Sequence, residues 1–496
     1  SLTRPPRICV RWVGPRRNHA PAFKSGLHKH FAWGCTLPRS LIGLPSPALV
    51  TVVDQLSEDE DAIFRRLLTK IRRSNKKDNQ LDSYYEGVQR LKHLGLAVPA
   101  QLRQFETVIN IPRMAVDEVQ RRMDIRFMIM PGEEKDSPEL RAIYDDNNLE
   151  SSLPMLFSDM LIFGRAYATV SAHETTGEPV VAIEHAPDMA VLRDVRTHEV
   201  SAALRLYRDD SQSIQAATLY LPGVTILLDR SNRWVVSRRL PHSLGVPVVA
   251  FINRKRPGVK HSDGTSEMAD VIGLTDSIAR TITNMQVANE THAMPQKYVT
   301  GIDDKDFIDP KTGNLVPVWE AYFTSVWTLT NKDAKPGSFT AASMDNFTKT
   351  VDSMMAWCAA VLGLPTRFMG QQTVNPASEG AIKADEVRLI RNVERKESAC
   401  GPDVGILMGQ ALSVSKGEPV NGNRIKTVWF DPATPTVAER ADALQKLAGG
   451  KAIISREGAW DELGWSESRK EREREYFKAE LTDDTIEYLG RDIEGL

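Results

Sequence analysis

Cysteine is scarce in this chain of 496 residues. There are four, Cys9, Cys35, Cys358 and Cys400, and no two have the C-x-x-C spacing of a metal or redox pair. A disulfide scaffold and a zinc–cysteine site are therefore set aside, and a reducing compartment fits. Long apolar runs are missing too. Stretches such as Val246–Ile252 fall far short of the roughly 20 residues that cross a bilayer. The familiar catalytic signatures are also absent. There is no G-x-x-x-x-G-K-[ST] loop to cradle phosphate, no H-E-x-x-H, no G-x-S-x-G, and no G-x-G-x-x-G after a strand. His173-Glu174 lacks a second histidine at helical spacing and reads as a turn.

One further absence is local. Residues 1–50 hold eight basic side chains and no acid, so the other 446 residues carry 55 basic against 65 acidic groups, a net charge of −10. A protein built to grip nucleic acid phosphates leans basic; the body of this one does not. The leader is rich in Arg, Pro and His, with neither helical nor alternating periodicity and no signal-peptide core. It reads as a poorly ordered basic segment in preference to an arm that touches nucleic acid. The chain as a whole, with ordinary hydrophobic and charged fractions of 41% and 26%, predicts two to four folded domains.

What is present runs helix, then sheet, then helix, an α+β class. Ser57-Glu58-Asp59-Glu60 is a capping box, and Ile63, Leu67 and Ile71 follow on one face, with Arg72, Arg73, Lys76 and Lys77 suited to the helix end. Asn110-Ile-Pro112 and Ser137-Pro138 open two more helices, and a fourth covers 151–163 before Gly164. Eight β-rich runs follow, near 166–171, 179–184, 189–194, 202–208, 215–221, 224–229, 233–238 and 247–252, separated by turn residues. Strands in immediate succession predict an antiparallel sheet. A long helix over 266–293 carries Met268, Ile272, Ile278 and Ile282 on its apolar stripe. An insertion over 294–343 holds a strand near 297–300. A helix over 344–362 carries Phe347, Val351 and Met355. A Gly/Pro/Gln segment, 363–376, precedes a very long helix from 377, which Gly401-Pro402 should kink. The strand Ile425–Phe430 is expected to join the earlier sheet, and the charged tail 436–482 is helical.

Two clusters in the insertion invite chemistry. Asp303, Asp304, Asp306 and Asp309 are the one candidate for a divalent metal, but all lie on one loop, and a solvated turn explains them better. Trp319, Tyr322, Phe323 and Trp327 could stack bases. No Lys or Arg lies between 316 and 331, so a small core or a subunit contact is the better reading.

The specific signal lies in order and spacing. Leu362-Gly363-Leu364-Pro365 closes one helix; Asn375-Pro376-Ala377-Ser378-Glu379-Gly380-Ala381-Ile382-Lys383 opens the next, which continues Glu386-Val387-Arg388-Leu389. Tyr84-Tyr85-Glu86-Gly87 precedes Asn110, and Gly264-Thr265-Ser266 precedes the long helix and its insertion. In this the chain resembles the portal proteins of tailed bacteriophages, in the siphovirus-type branch found in phages of actinobacteria, over about 55–482.

The resemblance implies a ring, usually of twelve subunits, around a DNA channel at one capsid vertex. It implies a wing (51–263 with 377–435), stem helices (264–293 and 344–362), a clip (294–343), a tunnel loop (363–376), a long kinked helix with a wing strand (377–435) and a crown (436–496). Implied partners are double-stranded DNA, the terminase large subunit, a head–tail adaptor, the major capsid protein and a scaffolding protein. No cofactor, metal or catalytic residue is implied, and assembly would take place in the host cytoplasm. The tunnel loop would present Arg367, Gly370, Gln371, Gln372, Thr373 and Asn375 to DNA, and the clip's Trp319, Tyr322, Phe323 and Trp327 would meet partners. A channel in which DNA slides should hold few phosphates, which suits the acidic body. The alternatives are another head-associated or adaptor protein, marked by assembly only on a partner, and a metal-dependent nuclease using the 303–309 cluster.

Overall fold

The computed structural model describes residues 55–89, 108–133, 135–230, 232–256, 263–292, 297–300, 335–338, 344–370, 379–433, 445–446, 453–463, 465 and 469–479. The leader 1–50, the acidic cluster 303–309 and the insertion's aromatic group lie outside them.

Helix α1 (Glu58–Glu86) begins on the expected capping box: the Ser57 backbone N–H donates to Glu60 Oε2 at 2.9 Å, and the Glu60 N–H donates to Ser57 Oγ at 3.3 Å. It does not stop near the basic residues 72–77, as expected. The apolar stripe continues through Leu81 and Tyr84, and Gly87, in the left-handed region at φ 72°, ends the helix. The helix therefore serves two cores. Phe64, Leu67 and Ile71 cover a five-stranded sheet; Leu81 joins the main core.

Helices α2 (Ile111–Gln120), α3 (Pro138–Asp146) and α4 (Leu149–Phe163) follow, with strand β1 (Ile125–Ile129) between the first two. The eight expected strands are all present: β2 (Arg165–Ala172), β3 (Pro179–Glu184), β4 (Met189–Arg193), β5 (Val200–Arg208), β6 (Ile214–Leu221), β7 (Val224–Arg230), β8 (Trp234–Pro241) and β9 (Val248–Ile252). They form two antiparallel sheets, not one. β4 to β8 make a meander in chain order, while β2 lies between β3 and β9. The burial pattern gives the reason. β9 is buried throughout and β2 from Arg165 to Val170, the mark of strands covered on both faces, whereas β7 and β8 of the meander keep exposed positions.

Helix α5 (Ile272–His292) starts six residues later than expected, because 267–271 forms turns. A strand pair, β10 (Lys297–Thr300) and β11 (Lys335–Ser338), bounds the insertion. Helix α6 (Asp345–Leu362), a short 3₁₀ turn (Thr366–Met369) and helix α7 (Glu379–Lys416) complete the run. α7 continues through Pro402 as one helix, without interruption. Tertiary contacts hold it there: Thr427 Oγ1 donates to Gly401 O at 3.1 Å, and Gly405 and Gly409 press against Gly422, where a Cβ on Gly409 would lie 2.4 Å from Gly422 Cα. Strand β12 (Lys426–Trp429) pairs with β1, Ile125 opposite Trp429, and not with the earlier sheet as expected. Helix α8 (Arg456–Glu462) and helical residues 469–479 share a stack in which the Trp460 ring lies 5.8 Å from both Trp465 and Phe477.

Candidate DNA-channel interface

The motifs singled out in the sequence turn out to be joints that hold α5, α6 and α7 to the body. At the first, Tyr84 Oη donates to Asp276 of α5 at 2.9 Å, and Tyr85 Oη donates to Asp117 at 3.1 Å. Burial and these carboxylates push both phenols up to about 12. Asn110 caps α2 and donates from Nδ2 to Tyr85 O at 2.8 Å, while Arg113 bonds Tyr85 O and Glu86. Gly87 is required there: its φ is positive, and a Cβ would meet Asn110 Nδ2 at 3.0 Å.

The second joint surrounds Gly264-Thr265-Ser266. Gly264 has φ 69°, and a Cβ on it would lie 2.1 Å from Gly164 O, so two glycine backbones touch where α4 ends and the α5 segment begins. Directly after it comes Glu267, a fully enclosed carboxylate. Lys396 of α7 donates to Glu267 Oε2 at 2.7 Å and to Asn253 Oδ1 at 2.8 Å; Asn392 donates to Oε1 at 3.1 Å; Arg254 Nε lies 3.2 Å from Oε2. Burial would raise the Glu267 carboxyl, but Lys396 and Arg254 together overcome it and hold it at about 2. Burial pulls Lys396 below the ordinary lysine range, and Glu267 opposes that pull. A second buried pair, Arg165 to Asp78 at 2.7 and 3.1 Å, ties β2 to α1. Sequence reading missed these charges. Glu267 and Lys396 stand 129 residues apart, with no local pattern linking them.

The third joint is the start of the 363–376 segment. Gly363, at φ 70°, closes α6, and Leu364 N–H donates to Ala359 O at 3.0 Å. Leu364 and Met369 are buried. Arg367 is not the free loop charge that was expected. Its guanidinium pairs with Glu386 on α7 and lies 5.4 Å from the Phe368 ring, and Arg388 donates back to Ala360 O at 3.1 Å. The segment through Gly370 is thus packed onto α7. Gln371, Gln372, Thr373 and Asn375 lie outside the described residues, as do Trp319, Tyr322, Phe323 and Trp327.

The expected stem residues divide. Met268 and Ile278 are fully buried in the main core, though Met268 sits in the turn before α5 and not on the helix. Ile272, Ile282, Val351 and Met355 pack on that core in part, and Phe347 is half-buried. On α6, Trp357 and Val361, one helical turn apart, are 57% and 48% exposed. His173 is a turn residue as read: its Nδ1 accepts from the Thr175 and Thr176 N–H groups. Among the described residues no three His, Cys, Asp or Glu side chains gather as a metal site, and no helix is long and apolar enough to cross a membrane.

Comparison with known proteins gives concordant results. Residues 68–486 match the family described as phage portal protein, SPP1 Gp6-like. The portal protein of Mycobacterium phage L5 is 32% identical over 438 residues, 85% of this chain and 89% of that one. The portal protein of Mycobacterium phage D29 is 33% identical over 413 residues, 80% and 84% of the two chains. Solved structures that resemble it include a chain from the neck of an empty gene transfer agent particle, with TM-score 0.45, 13% identity and coverage of 75% and 95%. Another comes from a native gene transfer agent virion, with TM-score 0.43, 12% identity and coverage of 78% and 99%. Matched along most of its length by the family and by both mycobacteriophage proteins, the chain belongs to the phage portal proteins, structural virion components that form the ring-shaped channel for DNA at a capsid vertex.

Proposed function

We propose that twelve copies close this ring, with α5 and α6 as the stem, the 294–343 insertion as the clip and the segment after Gly370 as the tunnel loop. The observation that carries this reading is the uncovered stripe on α6. A helix whose run Met354–Leu362 is wholly apolar leaves Trp357 and Val361 in solvent, which suits a helix flanked by the same helix of the next subunit. A heterologous contact of that kind closes into a ring when its rotation divides the circle.

The mechanism is mechanical, with no catalytic role for this chain. The terminase large subunit would supply the ATP-driven motion, and the clip would dock first that motor and later the head–tail adaptor. The major capsid and scaffolding proteins would meet the outer body during assembly in the host cytoplasm. Arg367 is already neutralised by Glu386, so the loop offers DNA mainly Gly370, Gln371, Gln372, Thr373 and Asn375, groups that touch a backbone without retaining it. The joints at Glu267 and Arg367 keep the stem and the base of the loop fixed to the body while DNA passes.

The test is a deletion of 371–374, which leaves the packed turn Thr366–Met369 in place. Rings should assemble normally, while particles complemented with the deletion package or retain less DNA. Normal packaging and retention would remove the loop from the mechanism.

A further inference from the structure

Helix α1 carries charge that the fold does not use. Between Asp61 and Asp78 it holds seven cations, Arg65, Arg66, Lys70, Arg72, Arg73, Lys76 and Lys77, and no acid. Elsewhere residues 51–496 carry 48 basic against 65 acidic groups, so this stretch is a basic island in an acidic body. Cations at 72–77 would suit a helix C-terminus, where the macrodipole favours them. The helix ends only at Glu86, roughly two and a half turns beyond Lys77, so the dipole does not account for them.

Phe64, Leu67 and Ile71 turn one side of this stretch to the five-stranded sheet. Lys70 is engaged, donating to Asp263 Oδ1 at 2.7 Å and to Val191 O at 3.1 Å. The other six cations are exposed. Arg65 pairs with Asp61 at 2.7 Å; among the described residues Arg66, Arg72, Arg73, Lys76 and Lys77 have no acidic partner. Acids of α1 and its surroundings are engaged elsewhere: Glu60 with Arg239, Asp78 with Arg165, and Asp188 with Arg205 and Arg208. Glu58, Asp59 and Asp82 lie outside the stretch. Arg72 with Lys76 and Arg73 with Lys77 stand one turn apart and repel each other. Ala62, Thr69 and Gln80 are exposed alongside these cations, and no large apolar side chain between 62 and 80 is.

A protein partner would find no apolar anchor on this face. A phosphate backbone needs none: cations suffice, and the arginine fork matches phosphate. From Arg65 to Lys77 the helix rises about 18 Å, the length of about five phosphates along one strand of a duplex. We infer that the exposed face of α1 binds the backbone of duplex DNA without sequence preference, as a contact separate from the 363–376 segment. There Glu386 neutralises Arg367, whereas the α1 face keeps its charge and holds the phosphates it meets. The inference does not depend on subunit number or on the loop's role.

The experiment uses the full chain and a fluorescein-labelled duplex of roughly 20 base pairs, read by fluorescence anisotropy across a range of salt. Each chain is made with its natural leader and with the eight cations of 1–50 changed to glutamine, which separates binding by the leader. Arg72→Gln, Arg73→Gln, Lys76→Gln and Lys77→Gln together should weaken binding about tenfold or more in both backgrounds, and lower the slope of log affinity against log salt by about 2 to 4. Arg72→Lys with Arg73→Lys should keep that slope. Affinity and slope unmoved by the fourfold variant would overturn the inference. So would a polyglutamate peptide of matched charge that displaces the duplex at equal concentration, since the face would then belong to an acidic protein segment. The fourfold variant should keep the parent's native mass and circular dichroism; a lower mass with an intact fold would assign the face to a second copy and would also overturn it.

Discussion

Helices α4 and α6 are both rich in apolar side chains, yet the fold treats them differently. α4 buries eight of its 15 residues, from Leu149 to Phe163, against the sheets and α2. α6 buries three of its 18, Cys358, Ala359 and Leu362, and leaves Trp357 and Val361 outside. Hydrophobic content alone therefore does not say where a helix sits. One lies at the centre of the subunit; the other, on the proposed reading, borders the next. The charges obey the same division. Around α4 and the start of α5, buried ions such as Glu267 and Lys396 are paired within the chain, whereas α6 leaves Trp357 and Val361 exposed.

This contrast can be broken most forcefully at the closed end. Phe157→Ala in α4 should cost about 3–5 kcal/mol, because a fully enclosed ring leaves a cavity behind. Glu267→Ala should cost a similar amount, about 3–5 kcal/mol, by stranding Lys396 without its counter-ion. Replacing both partners with methionine should cost much less. Urea unfolding followed by tryptophan fluorescence measures all three. A Glu267→Ala chain as stable as the parent would mean that the joint does not organise the stem.

A smaller effect comes with pH. Burial first, then Glu394, Asp431 and Asp124, push the Glu397 carboxyl up from 4.5 to about 7. Between those values the unfolded chain releases a proton that the folded chain keeps, so stability falls as pH rises through that window. Glu397→Gln should raise the Tm above pH 7 and leave it unchanged below pH 4.5, which thermal scans across the range would show. A gain independent of pH would indicate a packing effect instead. Smallest of all in stability, Trp357→Ala on α6 should shift it by about 0.5 kcal/mol or less, since the ring is mostly in water. The same substitution should weaken oligomerisation. If it instead unfolds the subunit as Phe157→Ala does, the comparison between the helices fails.

Much of this was legible in the residues. The capping box at Ser57, the glycine stop at Gly164 and all eight strands between 165 and 252 follow from local chemistry, and local chemistry is what a sequence displays. Where long-range packing decides, reading falters. Strand β1 has five residues, and its only partner among the described strands, β12, lies some 300 positions on. Pro402 disfavours a helix interior, yet α7 runs through it uninterrupted, and Thr427, Gly405, Gly409 and Gly422 pack there. Tyr84–Gly87, Asn110 and Gly264–Ser266 stood out as landmarks without an evident role; in three dimensions each is a joint. Arg367 looked like a channel charge because Glu386, its partner, lies across a segment whose path no local rule predicts.

On the proposed reading, another subunit closes the open face of α6. The most direct measurement is the native mass of the purified chain by light scattering after gel filtration, with the same run on Trp357→Ala. At 55.3 kDa per subunit, a twelve-membered ring has a mass of roughly 660 kDa, and that species should be lost or diminished in the variant. A parent chain that remains at 55.3 kDa at every concentration, with Trp357 still exposed, would contradict it.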